Sequence, residues 1–171
     1  MVVANAVASA RGPFGFSPLQ HIYVNRDIDY RDYDHHTDRI LESEFGYQNV
    51  DEGLFSLSAD SETGANRPGI VDEVTVEIGP KLSIIYPYMF AYRNIKSITI
   101  PSNVTHIGED AFFNCDDLES VTINSPQATI DRRAFWFNDK LKTVDISAYR
   151  IGEVSFRDCP GLESVTIRGT V

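Results

Sequence analysis

Residues 95–140 read IKSITIPSNVTHIGEDAFFNCDD followed by LESVTINSPQATIDRRAFWFNDK, and the second half restates the first at a shift of 23 residues. Ile95 returns as Leu118, Ile98 as Val121, Ile100 as Ile123 and Ile107 as Ile130, while the pair Ala111-Phe112 returns as Ala134-Phe135. A fixed period of this length is the mark of a solenoid in which each repeat forms one turn and buries its apolar side chains against its neighbours.

The period runs on in both directions. Downstream, Leu141, Val144 and Ile146 restart it, and Ile151 with Phe156 completes a copy two residues shorter, since Leu162 follows Leu141 by 21. Leu162, Val165 and Ile167 begin one more copy, which stops at Val171. Upstream, Val71, Val74 and Val76 read as a degenerate first copy, with Ile85 and Phe90 in the later positions. The step from aliphatic residue to phenylalanine is five residues in every copy: Ile85 to Phe90, Ile107 to Phe112, Ile130 to Phe135, Ile151 to Phe156. Length changes therefore fall in loops while the buried skeleton is held, as stacking requires.

Within a copy, Ser97-Ile-Thr-Ile100 alternates polar and apolar residues and is rich in β-branched side chains, which predicts a strand ended by Pro101. The predicted fold is mainly β, with one parallel strand per ~23-residue turn. The phenylalanines would stack in the core on the opposite wall, with Ala111, Ala134 and Ser155 small enough to permit the bend there.

The string L-x-S-I-T-I-P followed by V-x-x-I-G-x-x-A-F-x-x-C-x-x-L resembles the BspA-like leucine-rich repeat family. Ile95 to Leu118 follows it almost position by position; Leu118 to Leu141 carries Asn138 for the cysteine, and Leu141 to Leu162 is shortened but keeps Phe156 and Cys159. The likeness covers about 71–171, which marks that segment as a leucine-rich-repeat solenoid and leaves 1–70 as an N-terminal arm and cap. It implies a surface that binds host or partner proteins, as in adhesion, and it implies no catalytic residues.

The rest of the chain is less explicit. Residues 1–70 hold 11 acids against 5 basic residues, and 71–171 hold 14 against 10, for a net charge of −10. That balance disfavours nucleic acid and anionic membranes as partners, and no apolar run approaches the length of a membrane span. Met1–Ala10 is weakly signal-like, but it lacks a positive segment and Asn5 interrupts its apolar stretch, so an ordinary terminus is expected. Localisation stays open between a cell surface and a virion. In the arm, His21–Val24 is a candidate strand, RILESEF suggests a short helix up to Phe45, and Leu54–Ser58 suits a strand. An exposed turn, ADSETGANRPG, joins arm to solenoid. A stack of strands needs such a cap, because a bare first strand leaves its backbone groups unpaired.

No constellation of residues spells out chemistry, and no cofactor or metal is expected. Asp27, Asp29, Asp32 and Asp34 with His35 and His36 are dense in ligand types, but the glycine and distal glutamate of a calcium loop are missing; a solvated acidic loop accounts for them. Asn103-Val-Thr105 matches a glycosylation acceptor. Cys115 and Cys159 share a column two turns apart, ~9.6 Å at the usual strand spacing, too far for the ~7 Å limit of a disulfide; both are expected reduced and buried. Asp72, Lys96, Glu119, Lys142 and Glu163 form a column of alternating sign across the strand face. The Ser-x-Thr columns beside it read as an ordinary solvated face.

The candidate interface residues fall in two groups. Phe113, Trp136 and Phe137 follow the core phenylalanines, with Tyr92 on the neighbouring turn. They either form exposed anchors for a partner or pack beneath a loop or the cap. Leu162, Glu163, Val165 and Ile167 lie in the last strand, whose outer edge would be a template for pairing. A second copy, a partner or the folded-back arm is expected to cover it. The first reading is therefore a non-enzymatic protein-binding or adhesion module. The alternative is a structural subunit of a homo- or hetero-oligomeric assembly, such as a virion or filament component, joined through its arm and its open end.

Overall fold

In the computed structural model, residues 20–27 and 73–169 are described, and among them there are ten strands and no helix. The predicted helix through Phe45, the strand Leu54–Ser58 and the histidines His35 and His36 lie outside the described residues.

The repeat folds as a coil of three walls. The first wall is the predicted strand: β4 (Ser97–Ile100), β6 (Ser120–Asn124), β8 (Thr143–Ser147) and β10 (Ser164–Arg168) pair in parallel with the repeat's own register, Ile98 beside Val121 beside Val144 beside Val165. The second wall was not foreseen. β3 (Ile84–Ile85), β5 (His106–Ile107), β7 (Thr129–Ile130) and β9 (Arg150–Ile151) form another parallel sheet, so each complete turn carries two strands. The aliphatic residue five before each phenylalanine lies in these short strands: Ile85, Ile107 and Ile130 are fully buried, while Ile151 is exposed at the end of the stack.

The third wall holds the Ala-Phe step, and its backbone alternates. The N–H groups of Tyr88, Phe90 and Tyr92 donate to the next turn, at Glu109, Ala111 and Phe113, while those of Met89, Ala91 and Arg93 close tight bends within their own turn. Such a path needs left-handed residues two before and two after the phenylalanine. These are Tyr88 and Tyr92, Asp110 and Asn114, Arg133 and Phe137, Val154 and Asp158, with φ between 50° and 62°. None is glycine, although αL is a costly region for most side chains.

The phenylalanines stack inside as expected. Phe90 and Phe112 lie 5.2 Å apart, Phe112 and Phe135 4.9 Å, Phe135 and Phe156 5.0 Å, with interplanar angles of 20°, 1° and 4°. Met89, Ala111, Ala134 and Ser155 precede them and are buried, which lets the bend approach the core.

Two expectations at the first turn need correction. Val74, not Val71, lies beside Ile95, and Val76 and Ile78 of β2 (Thr75–Ile78) are its half-buried, inward-facing residues, flanked by exposed Thr75 and Glu77. The copy is thus shifted along the chain, by three residues at Val74, which stands where Val71 was expected, and by two at Val76 and Ile78, which stand where Val74 and Val76 were expected. Spacing supports this: Ile78 precedes Ile85 by seven residues, as Ile100 precedes Ile107 and Ile123 precedes Ile130. Asp72, the first member expected in the charge column, falls outside the described residues. The second correction concerns the arm. The predicted strand β1 (His21–Val24) does form, but it pairs in parallel with β2, burying Ile22 and Val24 at the first turn. The described part of the arm therefore covers the start of the coil and not β10.

The arm also covers the second sheet, by side chains. The Asp27 carboxylate accepts from the Ser83 and Ile84 N–H groups at 2.6 and 2.9 Å and from the Ser83 hydroxyl. Asn25 accepts from the Lys81 N–H at 3.0 Å. Gly79 makes room for it: a Cβ there would stand 2.3 Å from the Asn25 Oδ1. An aspartate expected in a solvated loop thus takes the place of a pairing strand along the free edge of β3.

Candidate functional site

The side chains that follow the buried phenylalanines gather on the outside of the third wall. Tyr92 meets Phe113 edge-on at 5.1 Å; Phe113 lies 5.4 Å from Trp136 and 6.0 Å from Phe137; Trp136 and Phe137 are 4.8 Å apart. Four rings from three successive turns thus form one continuous band. Tyr92, Phe113 and Trp136 are half-buried and Phe137 is 41% exposed.

The band is held from below. The Arg133 guanidinium lies 5.1 Å over the Trp136 ring, and the indole N–H donates to Asp158 at 2.8 Å. Arg133 in turn pairs with Asp110 and Glu109, both at 2.8 Å, and Asp110 accepts from the Tyr88 hydroxyl at 2.7 Å. Asp110 is almost wholly buried, so the pair is expensive to break. Burial, reinforced by the Asp110 bond, pushes the Tyr88 hydroxyl well above its ordinary pKa. Tyr88, Asp110 and Arg133 occupy the same left-handed column in successive turns, and the column fixes the indole in one orientation.

Asp116, Asp117, Asp139 and Asp158 follow the aromatic residues of their turns in sequence. Asp117 pairs with Lys140 at 2.5 Å and Asp158 with Arg157 at 3.5 Å. Among the described residues, Asp116 and Asp139 make no ion pair, although Lys140 lies near enough to Asp116 to favour its charged form. Partial burial first, then Asp139 and Asp117, push the Asp116 carboxyl above its usual range.

The cysteine column is structural. The Cys115 thiol donates to the Phe90 carbonyl at 3.3 Å and Cys159 to that of Phe135 at 3.4 Å. Asn138, between them, donates to Phe112 and Phe135 and accepts from the Cys115 N–H. Each side chain ties down a phenylalanine carbonyl of the preceding turn. Both thiols are free; Cys115 is buried, whereas Cys159, near the open end, is only half-buried, less than expected. Arg93 fills the same position in the first turn and is 1% exposed, which the sequence reading missed; burial pulls its pKa down to about 10.

In the charge column, Lys142 meets Glu119 at 3.1 Å and holds its carboxyl below the usual range. The Ser and Thr columns align as predicted, and Asp145, which interrupts one of them, pairs with Arg168. Asn103 of the glycosylation motif is occupied: its amide donates to the Gly79 and Leu82 carbonyls at 3.1 and 2.6 Å. At the last strand, Leu162 is half-buried, Glu163 is exposed, and Val165 and Ile167 are 51% and 53% exposed. Among the described residues nothing pairs with the outer edge of β10, no three His, Cys, Asp or Glu side chains converge as metal ligands, and no helix is long and apolar enough to cross a membrane.

A parallel coil with a Phe-stacked core and an ordered outer band is the architecture of a repeat protein. BspA-type leucine-rich repeat regions match residues 75–171 in six copies, and the chain belongs to that family. Among solved structures it is similar to a leucine-rich repeat protein from Bacteroides capillosus ATCC 29799, with 30% identity and a TM-score of 0.46, over 52% of this chain and 65% of that one. The match thus spans less than two thirds of that protein's length. No curated protein matches the chain.

Proposed function

We propose that the chain is a non-enzymatic protein-binding module, of the kind used in adhesion, and that its contact face is the band of Tyr92, Phe113, Trp136 and Phe137. The observation that carries this reading is the continuity of the four rings across three turns, with the indole fixed on both sides. Rigid aromatic side chains lose little conformational entropy on binding and dominate the energetics of protein interfaces. Membership of a repeat family whose domains commonly mediate protein–protein contacts supports it. The test is affinity capture from the native source with the full chain, run beside a Tyr92→Ser/Phe137→Ser variant whose melting matches wild type. Partners that wild type retains and the variant loses support the face; identical capture by both rejects it.

A second reading is a structural subunit of a larger assembly, joined through the arm and the open end of the coil. Val165 and Ile167 favour it, because each is more than half exposed on a strand whose outer edge is unpaired among the described residues. Sedimentation of wild type against Val165→Lys/Ile167→Lys decides: self-association that the lysines abolish supports assembly, and a monomer at high concentration rejects self-assembly.

A further inference from the structure

The two ends of the coil differ in what they show to solvent. At the first turn β1 has been added to the sheet, and its inward residues Ile22 and Val24 are 3% and 2% exposed. Asn25 and Asp27 accept from backbone N–H groups of the same turn, so polar side chains finish the edge beside β3. At the last described turn the matching positions are open. Val165 and Ile167 are each more than half exposed, although Val144 and Ile146, one strand back, are buried. The other walls agree: Ile130, Phe135 and Leu141 are buried, whereas Ile151 is exposed and Phe156, Cys159 and Leu162 are half-buried. The apolar cross-section of the coil is thus covered at one end and bare at the other.

A bare apolar end gains most by meeting another bare apolar end, because both are then removed from water. Head-to-tail stacking would set the open end against a finished one and cover one apolar surface instead of two. We propose that two copies of this chain join through their last turns as a closed two-fold dimer, in which β10 pairs antiparallel with β10 of the second copy. This rests on the second reading above and narrows it to the open end alone. A two-fold contact uses the same patch on both copies and leaves no surface for further growth.

The sequence of β10 selects the register. Opposed residues in an antiparallel pair share a face of the sheet, and the pairs that meet there set its stability. An axis through Thr166 sets Val165 against Ile167 of the second copy, Ile167 against Val165, Thr166 against itself and Ser164 against Arg168. Both apolar residues of each strand then meet an apolar partner, and no like charges are opposed. An axis through Val165 would set Ile167 against Glu163, and one through Ile167 would set Val165 against Gly169.

Cross-linking reads this geometry. Opposed Cα atoms in an antiparallel pair are about 4.5–5.5 Å apart, within the range of about 4.4–6.8 Å that a disulfide spans. Thr166 is exposed, so its replacement leaves the core intact. The full chain carrying Cys159→Ser and Thr166→Cys, oxidised with copper–phenanthroline, should yield a covalent dimer. Thr143→Cys in the same background is exposed on the same face but one strand inward, and should not cross-link. Sedimentation of the unaltered chain over a wide range of concentration should stop at two copies. Mass that keeps growing with concentration would overturn the closed dimer while the assembly reading stands. A dimer in which Thr166→Cys fails to cross-link, or in which Thr143→Cys cross-links equally well, would overturn the end-to-end arrangement and again leave self-association standing. A monomer throughout would overturn both.

Discussion

Phe135 is the decisive test of the core. Its side chain has no exposed surface and its ring is covered on both faces, by Phe112 at 4.9 Å and Phe156 at 5.0 Å, with the rings nearly parallel. Phe135→Ala removes a buried aromatic, which costs about 3–5 kcal/mol, including two stacked contacts worth about 0.5–1.5 kcal/mol each. Phe156 has one such neighbour and is half-buried, so Phe156→Ala should cost roughly half as much. Phe112→Ala, buried and covered on both faces, is the internal control and should match Phe135→Ala. Urea denaturation followed by circular dichroism gives the comparison. With a slope of about 2 kcal/mol per molar, a loss of about 4 kcal/mol moves the midpoint by about 2 M. Equal small losses at 135 and 156 would show that the stack contributes little and that the wrong wall has been assigned to the interior.

Three further outcomes are expected. Thiol titration in denaturant without reductant should find both cysteines free; in the native protein Cys159 should react first, because burial pushes the Cys115 thiol up to about 12. Finding no free thiol would contradict the spacing argument. Asp27 sits below its ordinary pKa because the bonds from Ser83 and Ile84 together outweigh the opposing effect of burial. Its stabilising contribution is therefore complete above the unfolded value of about 3.9 and is lost as pH falls through the lower folded value. The melting-temperature gap between wild type and Asp27→Asn should close below pH 4, and a gap that persists there would contradict the capping role. Val154 is β-branched at a φ of 51°, so Val154→Asn should stabilise the coil by about 1 kcal/mol; a loss of stability in the same urea assay would show that its side-chain contacts outweigh the backbone strain.

Much of the coil could be read in advance, and the reasons are particular. Ile98, Ile100, Ile107 and Phe112 recur because each must sit beside its own copy in the next turn, so periodicity, register and buried set are one fact seen three ways. The first turn was misplaced because Val71, Val74 and Val76 reproduce the spacing of Leu141, Val144 and Ile146, while the seven-residue step from Ile78 to Ile85 carried the true register. Two-residue strands such as His106–Ile107 are too short to show alternation, which hid the second sheet. Asp27 was unreadable as a cap because its partners, Ser83 and Ile84, lie 56 and 57 residues away and only the fold unites them. The aromatic band was visible as residue types, but the arrangement of Trp136 and Phe137 depended on a backbone conformation that strand-like alternation does not anticipate.

That conformation has a consequence for how sequence can drift at this surface. Position 137 requires a left-handed backbone, and the equivalent positions in the turns on either side hold Asn114 and Asp158, residues that adopt it at little cost. Phenylalanine is a poor choice there by local energetics. Random substitution toward Asn or Asp would relax the backbone and erase the most exposed ring of the band in the same step. Stability and recognition pull in opposite directions at this one residue, so a library selected only for heat resistance should discard Phe137 early, and one selected for binding should keep it.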